Sequence, residues 1–241
     1  MFDPEKIQQF FNDGYCVLDR LLSGVALRRI RDAFDRLNGY RNLIDHDQTL
    51  LEVAAHPRLI TAIKAILTPH PQLLQFDGIA RQPGSDDQGW HADFHFVCDQ
   101  PLMVNVGVYL DTLTDENGPI WVIPGSHRRK ERPPKWDKGE LTDAIPVKVN
   151  AGDAVIFDCT LWHKGGGNRS DSVRRAIFPT YGHYWMKRFE TWMPCPTLER
   201  FPNASEELQT LLGIRLHAPS EYSGYDEASI VRKNLAGEWE A

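Results

Sequence analysis

The segment Gly89-Trp90-His91-Ala92-Asp93-Phe94-His95 holds the densest chemistry in this sequence. In an extended chain His91 and Asp93 project to the same side, offering an imidazole nitrogen and a carboxylate oxygen about one coordination sphere apart. A histidine beside an aspartate is more often a hydrogen-bonded pair than a metal site, so a third ligand decides the reading. His163 is the candidate, at the end of the run GDAVIFDCTLWH. Two histidines and a carboxylate on one face of an iron ion leave three adjacent positions open, which suits a chelating cosubstrate plus dioxygen. Arg174 lies eleven residues beyond His163, at the start of the next β-type run. A buried guanidinium there can bind one end of a dicarboxylate bidentately while the other end chelates the metal.

These groups need elements to hold them. The first 70 residues read as helical: Pro4 opens IQQFF, Ser23 is placed to cap VALRRIRDAFDRL with Leu27, Ile30, Phe34 and Leu37 on one face, and LLEVAAHPRLITAIKAIL follows. YCVLDRLL, between the first two helices, reads as a short strand. From residue 72 the period changes: LLQFDGIARQ, PLMVNVGVYLD, PIWVIP, IPVKVN, DAVIFD and RRAIFPTYGHYW are short β-type runs separated by Gly, Pro, Asn and Asp. Such spacing predicts a sandwich, jelly roll or barrel, with a jelly roll preferred, because no strand alternates with a crossover helix. The expected organisation is one domain over 1–241: a helical layer to about 70, a jelly-roll core over 72–186 and a peripheral segment over 187–241. The basic stretch at 128–140 reads as a surface loop, the SEELQTLLGIRL and DEASIVRKNLAGEWEA segments as peripheral helices, and the glycines 165–167 as a tight turn.

Composition narrows the function classes. A chain of 241 residues with 41% hydrophobic and 25% charged residues has globular proportions. It contains no apolar run long enough to span a bilayer and no secretory pattern at MFDPEKIQQFF, so a cytoplasmic protein with no membrane partner is expected. Lys plus Arg number 27 against 33 Asp plus Glu, a net charge of −6, which argues against nucleic acid as a partner. Cys16, Cys98, Cys159 and Cys195 form no CxxC pair and read as reduced, mostly buried thiols.

Four ordered pieces, WHAD at 90–93, DENGPIWVIPGSH at 115–127, GDAVIFDCTLWH at 152–163 and GNRSDSVRRA at 167–176, resemble the phytanoyl-CoA dioxygenase family of iron(II)- and 2-oxoglutarate-dependent oxygenases. With the opening FFNDGYCVLDRLLS, the resemblance covers about three quarters of the chain. It implies a double-stranded β-helix, a cupin-like jelly roll, in a mainly β, α+β chain. It also implies His91, Asp93 and His163 as iron ligands, Arg174 on the distal carboxylate of 2-oxoglutarate, and 2-oxoglutarate and O2 as cosubstrates. The implied activity is hydroxylation, or a related oxidation, of an unactivated C–H bond in a small molecule, with 2-oxoglutarate decarboxylated to succinate and CO2. Two departures stand out. Lys164-Gly165 replaces the Gly-Ser common after the distal histidine, and Gly107 stands where a broad aromatic residue is frequent, so both changes are expected to open space near the iron. Asp93 is present, whereas halogenating relatives have a small residue there.

Further candidates follow from parity and position. Gln75, Asp77, Ile79 and Arg81 share one face of LLQFDGIARQ, where a polar face either lines a cavity or meets solvent. The resemblance favours Arg81, since the family often has a basic residue shortly before HxD, and it is assigned to the cosubstrate, as is Asn105, which shares a face with Gly107 and Tyr109. His95 has the parity of His91 and Asp93. Phe94, His95, Gly107 and Trp162, with Gln75 and Asp77, are the candidate substrate contacts. The competing readings are a redox-inert jelly-roll metal protein, which has no use for Arg174, and a non-catalytic ligand-binding homologue, which has no need of an intact triad. The identity of the substrate and the oligomeric state are not encoded in any pattern found.

Overall fold

A computed structural model describes residues 2–215 apart from 38–39, 46, 95–97, 130, 134–140 and 189–195. The Asp3 side chain accepts from the Glu5 amide at 2.9 Å and starts α1 (Pro4–Asp13). Gly14 ends it with a φ of 86°, turning the chain directly into β1 (Tyr15–Leu18). Ser23 precedes α2 (Gly24–Asp35) but, against expectation, its side chain makes no capping bond. Buried Ile30, Ala33 and Phe34 hold that helix instead, by packing. The run expected to follow as one helical stretch is broken in two. Pro57 brings no amide hydrogen and pushes the residue before it out of the helical region, so α3 (Gln48–Ala54) ends and α4 (Pro57–Ile66) begins. His56, given no role by the sequence, caps α4 by accepting from the Arg58 amide at 3.2 Å.

The remaining strands are β2 (Pro71–Arg81), β3 (Met103–Tyr109), β4 (Ile120–Val122), β5 (Ile145–Val147), β6 (Ala154–Asp158), β7 (His163–Gly165) and β8 (Arg174–His183), followed by α5 (Glu206–Leu211). A five-stranded antiparallel sheet, β1-β6-β3-β8-β2, packs against a three-stranded one, β5-β4-β7. This is the expected mainly β, α+β jelly roll behind a helical layer. Period-two alternation sorts the two faces of the larger sheet. Val104, Val106, Val108, Ala154, Ile156, Ile177 and Tyr181 pack with Ile30, Phe34, Leu50, Leu59 and Ile63 of the helices. Tyr109, Val155, Phe157 and Ala176 meet Ile120, Val122 and Val147 of the smaller sheet.

The glycines 165–167 are not the tight turn expected. Gly165 ends β7, and Gly166 lies under Gly118, where a Cβ would come within 2.3 Å of the Gly166 carbonyl oxygen. The glycines therefore permit a close approach of two backbones and keep β7 against the turn before β4. Cys16 and Cys159 are buried and Cys98 exposed. Cys195, His46, most of the 128–140 loop and the DEASIVRKNLAGEWEA segment lie outside the described residues. Among the described residues no helix is long and apolar enough to cross a membrane.

One buried bond joins the helical layer to the sheet: the Tyr181 hydroxyl donates to the Ala54 carbonyl at 2.6 Å. Tyr181→Phe is expected to lower unfolding free energy by about 1–3 kcal/mol, because it strands a buried acceptor while leaving packing intact. Urea denaturation should show this as a lower midpoint with an unchanged slope.

Candidate metal centre

His91 and His163 face each other across two reciprocal backbone bonds, His91 N–H to His163 O at 3.0 Å and His163 N–H to His91 O at 2.9 Å. This one bridge fastens the segment before β3 to β7 and sets the two rings 4.3 Å apart. Each Nδ1 points at a nearby carbonyl, Gly89 at 2.8 Å and Leu161 at 2.9 Å. A carbonyl only accepts, so each ring carries its hydrogen on Nδ1 and turns the Nε2 lone pair the other way. Both Nε2 atoms then lie near the same Asp93 Oδ1, at 3.7 and 3.6 Å. The three donor atoms fall within 4.8 Å of one another, a group that can hold one metal ion. The other oxygen of Asp93 accepts from Asn105 Nδ2 at 2.9 Å. The Val106 amide and the Thr180 hydroxyl, at 2.9 and 3.3 Å, in turn fix the Asn105 oxygen. Asn105, expected on the cosubstrate, thereby orients Asp93.

Beyond the triad lies an inner chamber of about 110 Å³ between the two sheets. Arg174 stands in its wall, 4% exposed. Among the described residues its Nε finds no hydrogen-bond partner, and its guanidinium sits 5.7 Å from the Tyr109 ring centre. Burial lowers the Arg174 pKa and Arg81 adds to that, while Tyr109 and Asp111 oppose it. The group stays cationic, as guanidinium does in proteins. Arg175 faces the other way, as alternation predicts, and pairs with Asp35 at 2.6 Å and Asp111 at 3.1 Å. Burial likewise lowers the Arg81 pKa. Arg81 lines the chamber and donates to the Asp86 carbonyl at 2.8 Å.

The two departures from the family pattern do not open space. A Cβ at Gly165 would meet Arg81 Nη2 at 2.8 Å and the Gln88 oxygen at 3.1 Å, so those side chains already fill the place of the missing hydroxyl. A Cβ at Gly107 would meet the Tyr109 and Phe178 rings at 3.0 and 3.1 Å, so aromatic mass arrives from neighbouring positions instead. Gln88 and Tyr109 are chamber residues that the sequence reading did not assign. Tyr109 was within reach of it, since it shares the face of Asn105. Burial pushes its phenol up to about 12 despite Arg174 and Arg81, leaving the hydroxyl protonated and able to donate. No local pattern marks Gln88, whose oxygen accepts from the Gly165 amide at 3.2 Å.

Ile79, Gln88, Asp93, Asn105 and Phe178 also wall an outer chamber of about 430 Å³. Gln75, Asp77 and Phe94 line it, where the sequence placed substrate contacts. Asp77 already accepts three hydrogen bonds: from the Asn42 amide at 2.8 Å, from Gln75 at 2.7 Å and from Arg41. With the Gly78 amide donating to the Tyr40 carbonyl at 2.6 Å, it straps residues 40–42 over the cavity. Trp162 is not on the wall; it packs with Trp90, Ala92 and Ile123, and Arg129 lies 5.0 Å from its ring. Next to His163 on an extended chain, it has to face away from the metal side. Trp185 lies past the end of β8 and is 61% exposed. His95 and Phe96 lie outside the described residues.

A jelly roll that brings a His–Asp–His group able to hold one metal ion together with a buried arginine in the chamber beside it has a cupin-like fold. The sequence profile of the phytanoyl-CoA dioxygenase family matches residues 10–176, and the chain belongs to that family. Dioxygenase af480 of Aspergillus fumigatus is 28% identical over 174 residues, covering 68% of this chain and 54% of its own. The first relatives matched are spanned over 54% to 62% of their length. HygX of Streptomyces hygroscopicus, solved with nickel and 2-oxoglutarate bound, superposes with a TM-score of 0.71 at 17% identity, over 79% of this chain and 90% of its own. SnoK, an α-ketoglutarate-dependent carbocyclase of nogalamycin biosynthesis, gives 0.64 at 21% identity over 76% and 85%.

The Asn105 bond to Asp93 generates a specific expectation. Asn105→Ala should weaken metal binding by about 10- to 100-fold, the range for losing a partner that orients a ligand. Titration with iron(II) under nitrogen measures it, and Tyr109→Phe is expected to leave that affinity unchanged.

Proposed function

We propose that the protein is an iron(II)- and 2-oxoglutarate-dependent oxygenase that hydroxylates an unactivated C–H bond of a small molecule. The observation that carries this reading is the pairing of the triad with Arg174, a buried cation whose Nε lacks an acceptor. An arginine left so costs stability unless an anion completes it, and a redox-inert metal site has no use for one. The residues fit the group they would hold. His91, Asp93 and His163 offer three donors on one side of a metal, and Arg174 offers a planar fork suited to a carboxylate. Iron(II) and 2-oxoglutarate held there would, with dioxygen as the oxidant, supply the chemistry to insert one oxygen atom into a C–H bond, the other oxygen atom ending in succinate as CO2 is released.

Each nearby side chain has a task under this reading. Asn105 keeps Asp93 turned toward the histidines. Tyr109 keeps its proton and, with Arg174 and Arg81, presents donors to the cosubstrate's carboxylate. Phe157 and Ile120 close the inner chamber with apolar surface, which limits water around these charges. Gln75, Ile79, Phe94, Met103 and Phe178 form a mixed polar and apolar outer wall for the substrate. What that wall holds nearest the metal sets the outcome, since SnoK shares the fold and is a carbocyclase.

Anaerobic addition of iron(II) and 2-oxoglutarate is expected to give a visible charge-transfer band that requires both, and His163→Ala should abolish it. Folded protein with no band and no iron affinity refutes the oxygenase reading. Arg174→Ala should raise the 2-oxoglutarate concentration needed for half the band by about 10- to 100-fold, with iron affinity nearly intact. Asp93→Ala is expected to eliminate succinate formation coupled to a substrate.

A further inference from the structure

Phe94, Met103 and Cys159 belong to two cavities at once: the outer chamber and a second one of about 240 Å³ against α1. Phe10 and Phe11 of α1, edge to face at 5.6 Å, form much of its apolar wall. Asp158, the last residue of β6, also lines it and is 6% exposed. One carboxylate oxygen accepts from the Thr160 amide and hydroxyl at 2.7 and 2.6 Å, which shapes the turn toward His163. Among the described residues nothing donates to the other oxygen. With Asp158 lining the cavity, that oxygen is left open to whatever fills it.

The surrounding charges do not answer it. Asp99 and Arg128 also line the cavity, but they are exposed and of opposite sign. Burial lowers the pKa of His127, outweighing the nearby carboxylates, so its ring is neutral near pH 7. Its Nε2 is engaged with the Phe11 carbonyl at 3.2 Å, which leaves the buried formal charge of the cavity negative. Burial also pushes the Asp158 carboxyl up against the pull of Thr160 and His127, the signature of a carboxylate short of a counter-ion. Aromatic faces beside one desolvated carboxylate are the recognition chemistry of an alkylammonium group.

We propose that this cavity seats a primary ammonium group, and that the substrate is an amine whose skeleton runs from the metal-facing chamber past Phe94, Met103 and Cys159. Only the second half rests on the oxygenase reading. The probe is n-butylammonium, with n-butanol, butyrate and sodium at equal ionic strength as controls, followed by calorimetry and NMR on the metal-free full chain. Saturable binding of butylammonium alone is expected. Asp158→Asn keeps an acceptor for Thr160 and removes the charge, so it should weaken binding about tenfold or more. Butanol binding as well as butylammonium, or undiminished binding in Asp158→Asn, overturns the site. Should that variant misfold, the selectivity of the wild-type protein still decides, and Phe11→Ala at the exposed edge should weaken butylammonium as well.

In the iron(II) and 2-oxoglutarate form, amines long enough to reach the metal-facing chamber should stimulate succinate release, and butylammonium, too short to reach it, should inhibit that stimulation competitively. Stimulation confined to compounds without an amine, insensitive to butylammonium, overturns the substrate assignment. A normal charge-transfer band with no butylammonium binding sinks this proposal alone. Butylammonium binding with no band leaves the ammonium site standing and removes the oxygenase.

Discussion

Everything in the site depends on two backbone hydrogen bonds. His91 and His163 are 72 positions apart in the chain. The bridge between them ties the segment that leads into the larger sheet to a strand of the smaller one. Because the bonds are reciprocal, they fix translation and facing together, so both rings leave the backbone on one side. The carbonyls of Gly89 and Leu161 then choose the same ring tautomer twice. No side chain has to search for the metal geometry, since the backbone delivers it and Asn105 locks the third ligand.

The second constraint is electrostatic. Arg174 and Arg81 sit near one another around Tyr109, and burial disfavours both charges. Such a chamber is a poor place for the protein's own carboxylates to end, and those nearby are used elsewhere: Asp111 on Arg175, and Asp87 on Lys164 and the Gly167 amide. Among the described residues the fold thus keeps an unbalanced positive end inside the barrel, a setting that matches an anion electrostatically better than a neutral molecule.

How much of this was legible beforehand follows from the range of each interaction. Period-two alternation put Arg174 inward and Arg175 outward, and spaced Asn105 with Tyr109, because those facts are local to one strand. The break at Pro57 was readable too, but helical pattern on both sides hid it. The fate of Asn105 was not readable, since Asp93 competes for its amide from twelve residues away. Gly107 and Gly165 misled for a related reason. A glycine shows that its own side chain is missing, and says nothing about Tyr109, Phe178, Arg81 and Gln88, which arrive from other positions to take the room. Trp162 misled because adjacency in sequence to a ligand is opposition in space on a strand.

The strap at residues 40–42 has a different kind of consequence. It belongs to the connection after α2, yet it borders the outer chamber by hanging on Asp77 and Gly78 of β2. Descendants of this chain are therefore free to lengthen, shorten or recompose that connection, and so remodel the guest they admit, while inheriting the reactive centre unchanged. Diversification in such a scaffold is decoupled from the preservation of its chemistry.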